Sequence, residues 1–343
     1  MKKKKHQQTF VFDKSLSSES IDPKYYFCWT FVKILLIFVL ILYYSLINNY
    51  NNNNKNNINN IDEIIEKQLS KVEPNYTALN WKNIKKDFEA LANKYSYLIK
   101  KEKNIEEDSP IWMMWYQGIE TAPPIVKACI QSVIVNRAKH PVHIISKYNL
   151  EKYVKLPSYL MEKFNNGTFS ITHFSDIIRF ALLFKYGGYW IDSTYFVTTP
   201  LTKLNSNFFS LRLKKCWLTG HPFINCQWAG NFLAVSKRSF IATYAYMAFL
   251  YYWKKYNSRI NFYLIDYIIF IAYSVVPEFK DIVNNLPIID CSIFALASKL
   301  KSGFSESDFN CPFNKLKKIK GKNITNYDYI IENYKLEIKN DSE

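Results

Sequence analysis

Residues 172–199 read THFSDIIRFALLFKYGGYWIDSTYFVTT, and the fold turns on them. Thr172 or Ser175 can cap a helix, and Asp176 near its start suits the positive end of the helix dipole. Ile177, Ile178, Phe180, Ala181, Leu182, Leu183 and Phe184 leave the helix almost no polar side, which predicts burial all round. Gly187 and Gly188 stop it after Tyr186, and a strand, YWID, follows directly and ends in Asp192. Asp176 and Arg179 are three residues apart and therefore project from one helix face.

Upstream, the dense apolar run IWMMWYQG (111–118) predicts a buried strand closed by Gly118. Pro123-Pro124 opens a helix through Ile125, Cys129, Ile130 and Val133, and PVHIISK (141–147) predicts a second strand. Strand, helix, strand, then helix and strand again is the order of an α/β fold. No G-x-G-x-x-G or phosphate-binding P-loop occurs anywhere, which disfavours dinucleotide and ATP-loop readings. Ligands of open α/β sheets bind beyond the carboxyl ends of the strands, where Asp192 falls. A carboxylate there, beside the Asp176–Arg179 pair, suits a ribose, a diphosphate and a divalent cation. As a generic motif, the same pair is a structural ion pair closing a helix end.

Softer candidates lie downstream. Asn231, in Trp228-Ala-Gly-Asn231, either reaches a donor sugar hydroxyl or serves the turn itself. Asp266, inside the apolar FYLIDYIIF, is either a site residue or the partner of a buried cation, because an unpaired carboxylate there is costly. His173 suits acid–base work or, more simply, capping of the helix. No Ser-His-Asp order or nucleophile elbow supports hydrolase chemistry.

The N-terminal part has a different chemistry. Residues 25–47 carry one charge, Lys33, and match the ~20 apolar residues that a bilayer core requires, with no small-residue cleavage site after them. Lys2 to Lys5, Lys14 and Lys24 precede this run, so the positive-inside rule predicts a single-pass, type II membrane protein with a cytoplasmic tail at 1–24. An Asn-rich tether and helical stem then occupy 48–108, the catalytic domain 109–300 and a basic extension 301–343, which includes Lys315, Lys317, Lys318, Lys320 and Lys322. Sequons at Asn75, Asn166, Asn323 and Asn340 are compatible with a domain facing the Golgi or ER lumen. The net charge of +16 suits anionic partners, but without zinc-finger spacing or an aromatic–basic motif nucleic acid is not expected. The six cysteines include no C-x-x-C and leave the redox compartment open.

Ser175-Asp176, Arg179, Leu183, Gly187-Gly188 and Asp192 together resemble the sugar-nucleotide signature of glycosyltransferases with a DxD motif, glycosyltransferase family 32 included. With IWMMWYQG, APPIVKACIQS, YVKLPSYLMEKF, GGYWIDST and FYLIDYIIFIAY, the chain more closely resembles the capsular polysaccharide synthesis protein family over about 109–300. The resemblance implies a GT-A-like domain that moves a sugar from a nucleoside-diphosphate sugar to a glycan or glycoconjugate hydroxyl. Trp115 and Gln117 would then lie beside the nucleotide, and Asp176 and Arg179 would hold ribose and diphosphate, with Gly187, Gly188 and Asn231 in the same donor site. Asp192 and Asp266 would act in catalysis, and Asp192 would hold Mn2+ or Mg2+. The second DxD position is Thr194, a weaker ligand for a hard cation. That departure motivates a second reading, a non-catalytic, membrane-tethered sugar-binding protein. The capsular resemblance also admits a bacterial cell membrane.

Overall fold

The computed structural model describes residues 81–202, 204–214, 226–260, 262–303, 305–317 and 327–336. Helix α1 (Trp81–Tyr95) leads through a 3-10 turn to strand β1 (Ile111–Met114), and helix α2 (Pro124–Val135) connects β1 to β2 (Val142–Ile145). Short helices α3 (Leu150–Tyr153) and α4 (Ser158–Asn165) precede the long α5 (Ile171–Tyr186), which runs into β3 (Gly188–Ile191) and β4 (Tyr195–Val197). Strands β5 (Phe208–Ser210), β6 (Arg212–Leu213) and β7 (Phe232–Val235) come next, then helices α6 (Phe240–Lys255), α7 (Leu264–Val275) and α8 (Pro277–Asn284). Strand β8 (Ile288–Ile289), helix α9 (Ala295–Ser302), strand β9 (Phe313–Lys315) and helix α10 (Tyr327–Asn333) follow.

The central sheet has the order β2-β1-β3-β7-β5. β1 runs parallel to β2 and β3, whereas β7 is antiparallel to both β3 and β5. This is the mixed α/β architecture that the alternating strand and helix signals imply. Every residue of β1, β3 and β7 is buried, so both sheet faces are covered and the strands read as unbroken apolar runs. A second, two-stranded pairing joins β4 to β9, with Tyr195 opposite Lys315.

Helix α5 begins a turn earlier than its sequence suggests. Its cap is Ser170, whose side chain accepts from the His173 backbone N–H, so Thr172 and Ser175 lie inside the helix. Helix α1 is part of the folded core and not a detached stem. It buries Trp81, Ile84, Phe88 and Ala92, with Trp81 against Tyr267 of α7 and Phe88 against Tyr252 of α6. The expected boundaries at 109 and 300 are therefore not structural ones, since α1 and β9 both pack into the same body. A disulfide between Cys291 and Cys311 ties the chain just ahead of β9 to the segment before α9, and Cys129 is a buried free thiol.

The expected single-pass, type II membrane location is corrected here. No helix among the described residues is long and apolar enough to cross a membrane, and residues 25–47, which carried that expectation, lie outside the described residues. The tail at 1–24 and the tether from 48 lie outside them too.

Gly187 and Gly188 have a structural reason that sequence spacing conceals. Both have positive φ, 71° and 91°. A Cβ on Gly188 would fall 2.1 Å from the Pro110 carbonyl oxygen, and one on Gly187 would fall 2.6 Å from the Lys237 backbone nitrogen. The α5–β3 turn is thus threaded between two backbones that admit no side chain. Gly188→Ala is expected to cost about 3–5 kcal/mol of stability from strain plus overpacking, read by urea denaturation. A loss below about 1 kcal/mol would mean that the turn is not so constrained.

Candidate functional site

Strands β1 and β3 end side by side, and a cleft of about 410 Å³ opens beyond their carboxyl ends. Met114, Trp115, Gln117, Arg179, Asp192 and Thr194 are among its lining. The floor is knitted by short-range geometry. The Ser193 hydroxyl donates to the Met114 carbonyl at 2.6 Å, and the Asp192 N–H donates to the Asn231 carbonyl at 3.1 Å. Asp192 is therefore fixed by main chain on both sides before its side chain does anything.

The side chain is the centre of a charged cluster. Oδ1 of Asp192 accepts from Trp190 Nε1 at 2.9 Å and from Arg179 Nη2 at 3.3 Å, while Oδ2 accepts from Lys315 Nζ at 2.7 Å. Burial alone would raise the Asp192 carboxyl, but the Lys315 and Arg179 cations outweigh it and hold the group below the usual carboxylate range. Arg179 also pairs with Asp176 Oδ1 at 3.1 Å, donates from Nη1 to the Gly230 carbonyl at 2.6 Å and lies over the Trp190 ring. Its Nε is buried and has no acceptor among the described residues.

Asp176 and Asp266 do not line the cleft. Asp176 is on α5, and burial pushes its carboxyl well up despite Arg179. Asp266, on the first turn of α7, accepts from Trp228 Nε1 at 3.2 Å, and burial raises it to about 6 against the pull of Trp228 and Arg179. It thus serves as a buried neighbour of the Trp228–Gly230 turn and makes no contact with the cleft. His173 neither caps α5 with its side chain nor offers acid–base chemistry near neutrality. The ring is fully buried, and its Nε2 accepts from Trp253 Nε1 at 2.8 Å. An indole only donates, so in the neutral ring the proton sits on Nδ1, 3.7 Å from Asp176 Oδ2. Burial, then Arg259 and Arg179, press the His173 pKa down to about 3.

The structure thus brings Trp115, Gln117, Arg179, Asp192 and Thr194 together at one cleft. Asp176 stands immediately behind Arg179. Gly187 and Gly188 lie at the opposite end of β3 from Asp192 and are corrected from donor-site residues to backbone-packing ones. Asn231 is not among the residues lining the cleft; its side-chain oxygen accepts from the Tyr195 hydroxyl at 2.8 Å. Lys315, which does not line the cleft but is bonded to Asp192, is the member of the charged cluster that sequence reasoning missed. It lay among a run of apparently solvated lysines.

The cluster as it stands offers no free carboxylate oxygen to a divalent cation. Both oxygens of Asp192 already serve cationic donors, the second DxD position offers only a hydroxyl, and no group of three His, Cys, Asp or Glu side chains is gathered for a metal among the described residues. An ion there would have to displace Lys315 and settle beside Arg179.

The charged cluster thus lies beyond the carboxyl ends of the parallel strands β1 and β3, the edge at which open α/β sheets bind ligands. Residues 59–334 match the capsular polysaccharide synthesis protein family, and the chain belongs to it. Over 107 residues it is 31% identical to the O-glycosyltransferase braB of Annulohypoxylon truncatum, covering 27% of this chain and 24% of that relative. Over 99 residues it is 29% identical to the O-glycosyltransferase PaGT of Phomopsis amygdali, covering 26% and 24%. The matched stretch thus spans about a quarter of each relative's length. The solved PaToxG glycosyltransferase overlaps 59% of this chain and 81% of its own at 16% identity and a TM-score of 0.37, a level that bears on neither mechanism nor substrate.

Asp266 supplies a pH test of this electrostatic picture. Its folded-state pKa lies above the ordinary 3.8, so the folded protein keeps the proton longer than the unfolded chain. The stability gained from this group is complete below the unfolded pKa and disappears as pH rises through about 6. Asp266→Asn retains an oxygen for Trp228 and removes the charge. It is expected to stabilise the fold by on the order of 2–3 kcal/mol above about pH 7 and by almost nothing below about pH 4, read by thermal melts across pH. Equal effects at both pH values would contradict the assignment.

Proposed function

We propose that the chain is a glycosyltransferase that moves a sugar from a nucleoside-diphosphate sugar to a hydroxyl of a glycan or glycoconjugate, on a GT-A-like domain. The observation that carries this reading is Arg179. It is a buried guanidinium lining a cleft at the carboxyl ends of parallel strands, oriented by two carboxylates and one carbonyl, with an Nε–H that lacks an acceptor among the described residues. Family membership and the relatives named as O-glycosyltransferases support the same conclusion.

In this reading the nucleotide lies against Trp115 and Gln117, and the diphosphate faces Arg179. As the sugar departs, negative charge grows on the diphosphate oxygen, and a pre-oriented cation stabilises that charge without reorganising. Asp192 and Asp176 hold the guanidinium in place. The loop that carries Ser193 and Thr194, which forms one wall of the cleft, is fixed by the bonds of Ser193 to the Met114 carbonyl and of Leu316 to the Thr194 carbonyl. The buried indole of Trp190 supplies an apolar wall on one side.

The test is a panel of sugar nucleotides offered to the purified full chain, followed by thermal shift and by product analysis with glycan acceptors. One donor is expected to raise the melting temperature and to be consumed only when acceptor is present. Arg179→Lys keeps the charge but cannot bridge Asp176, Asp192 and Gly230, and is expected to lower kcat/KM by roughly 100- to 1000-fold. A donor that binds and is never consumed would favour the non-catalytic sugar-binding reading, to which Thr194 at the second DxD position lends itself. Unchanged turnover in a folded Arg179→Lys protein would show that the diphosphate lies elsewhere.

A further inference from the structure

We infer that Lys315 supplies, from the protein itself, the fixed positive charge that a divalent cation would otherwise bring to the donor diphosphate. This inference rests on the glycosyl-transfer reading above and specifies how its leaving group is held.

Lys315 is 123 residues from Asp192 in sequence, yet its Nζ stands 2.7 Å from Oδ2 of that carboxylate, which itself lines the cleft. Its position is built and not incidental. β9 pairs with β4 so that Lys315 faces Tyr195, and the ammonium lies 4.7 Å from the centre of that ring. Its backbone N–H donates to the Ile293 carbonyl, and the next N–H, of Leu316, donates to the Thr194 carbonyl at 2.9 Å. On the other side Asn314 is fully buried and donates to the Cys311 carbonyl at 2.7 Å, while Cys311 is bonded to Cys291. A solvated lysine of a basic tail needs none of these restraints. The side chain is only 17% exposed, so its charge is poorly screened by water.

Thr194 then acquires a reason. Where a second carboxylate would complete a cation site, the chain has a hydroxyl, and where the cation would sit against Asp192 it has an ammonium. An ammonium carries three N–H donors, and Asp192 uses one of them. Lys315 does not itself line the cleft, so its other two donors serve diphosphate oxygens that settle beside Asp192, which does. In the transfer step the bond between the anomeric carbon and the diphosphate oxygen breaks, and its electron pair stays on the diphosphate. The acceptor oxygen forms the new bond to the anomeric carbon, and its proton passes to solvent. Lys315 and Arg179 together meet the charge left on the diphosphate, and no metal enters the balance.

The experiment is calorimetric titration of the full chain with UDP and with GDP, each in EDTA and then in magnesium or manganese. Whichever nucleotide binds the parent protein is expected to do so with a Kd that changes less than about 3-fold with metal. Lys315→Met is expected to weaken binding in EDTA by roughly 10- to 100-fold, the range for a charge-assisted hydrogen bond, and to become metal-responsive because Asp192 Oδ2 is freed. Lys315→Arg, which retains charge, guards against misfolding of the methionine variant and is expected to stay within about 10-fold of the parent. Lys317→Met, in the exposed neighbour, is the control for loss of net charge and is expected to change little. Parent binding that requires metal, or equal losses from Lys315→Met and Lys317→Met, would overturn the assignment. If neither nucleotide binds the parent with or without metal, the glycosyl-transfer reading itself fails, an outcome distinct from a failure of Lys315.

Discussion

One carboxylate joins the α5–β3 segment to a strand more than a hundred residues away. Asp192 receives Arg179 from α5, Trp190 from β3 and Lys315 from β9, each at hydrogen-bond distance. Pairing of this kind is weak evidence for net stability, because burying the three charges costs several kcal/mol before attraction offsets it. Breaking it is another matter. Loss of the carboxylate would leave a guanidinium and an ammonium facing each other with little water, which costs far more than the pair ever contributed. The return of β9 to the sheet edge, the orientation of the α5 guanidinium and the shape of the cleft floor therefore stand or fall together.

The same arrangement sorts charge by depth. Asp176 and Asp266 are buried away from the cleft, and burial raises both above the ordinary carboxylate range. Asp192 is held ionised by its cations. His173 is neutral, accepts from Trp253, and keeps its Nδ1 3.7 Å from Asp176 Oδ2, beyond hydrogen-bond distance. Arg179 and Asp192 border the cleft, Lys315 reaches it only through Asp192, and Asp176 and Asp266 are buried off it. A fixed field of that kind suits an anionic leaving group, because nothing has to move when the charge appears.

How much of this the sequence disclosed depended on distance along the chain. α5 and β3 were legible because their apolar density and the two glycines are local signals, and Asp192 followed from its place at a strand end. Trp115 and Gln117, named on the family resemblance, and Arg179, named with Asp176 on one helix face, are among the residues lining the cleft. Gly187 and Gly188 misled because a glycine pair beside a signature does not say whether a ligand or a backbone needs the space, and here Pro110 and Lys237 do. Asn231 and Asp266 were ambiguous because their partners, Tyr195 and Trp228, are long-range for one and a helix away for the other. Lys315 was invisible. Only the β4–β9 register separates it from the exposed Lys317 two residues on.

The most direct test of the account is a double-mutant cycle between Asp192 and Lys315, using Asp192→Asn, Lys315→Met and the double variant, with unfolding free energies from urea titration. If Asp192 holds Lys315 as described, each single change strands a poorly hydrated group that the double change relieves, and the coupling should be on the order of 1–3 kcal/mol. Additive effects, with coupling below about 0.5 kcal/mol, would mean that the two side chains are independent in solution and that the cluster is not the constraint on which the rest depends.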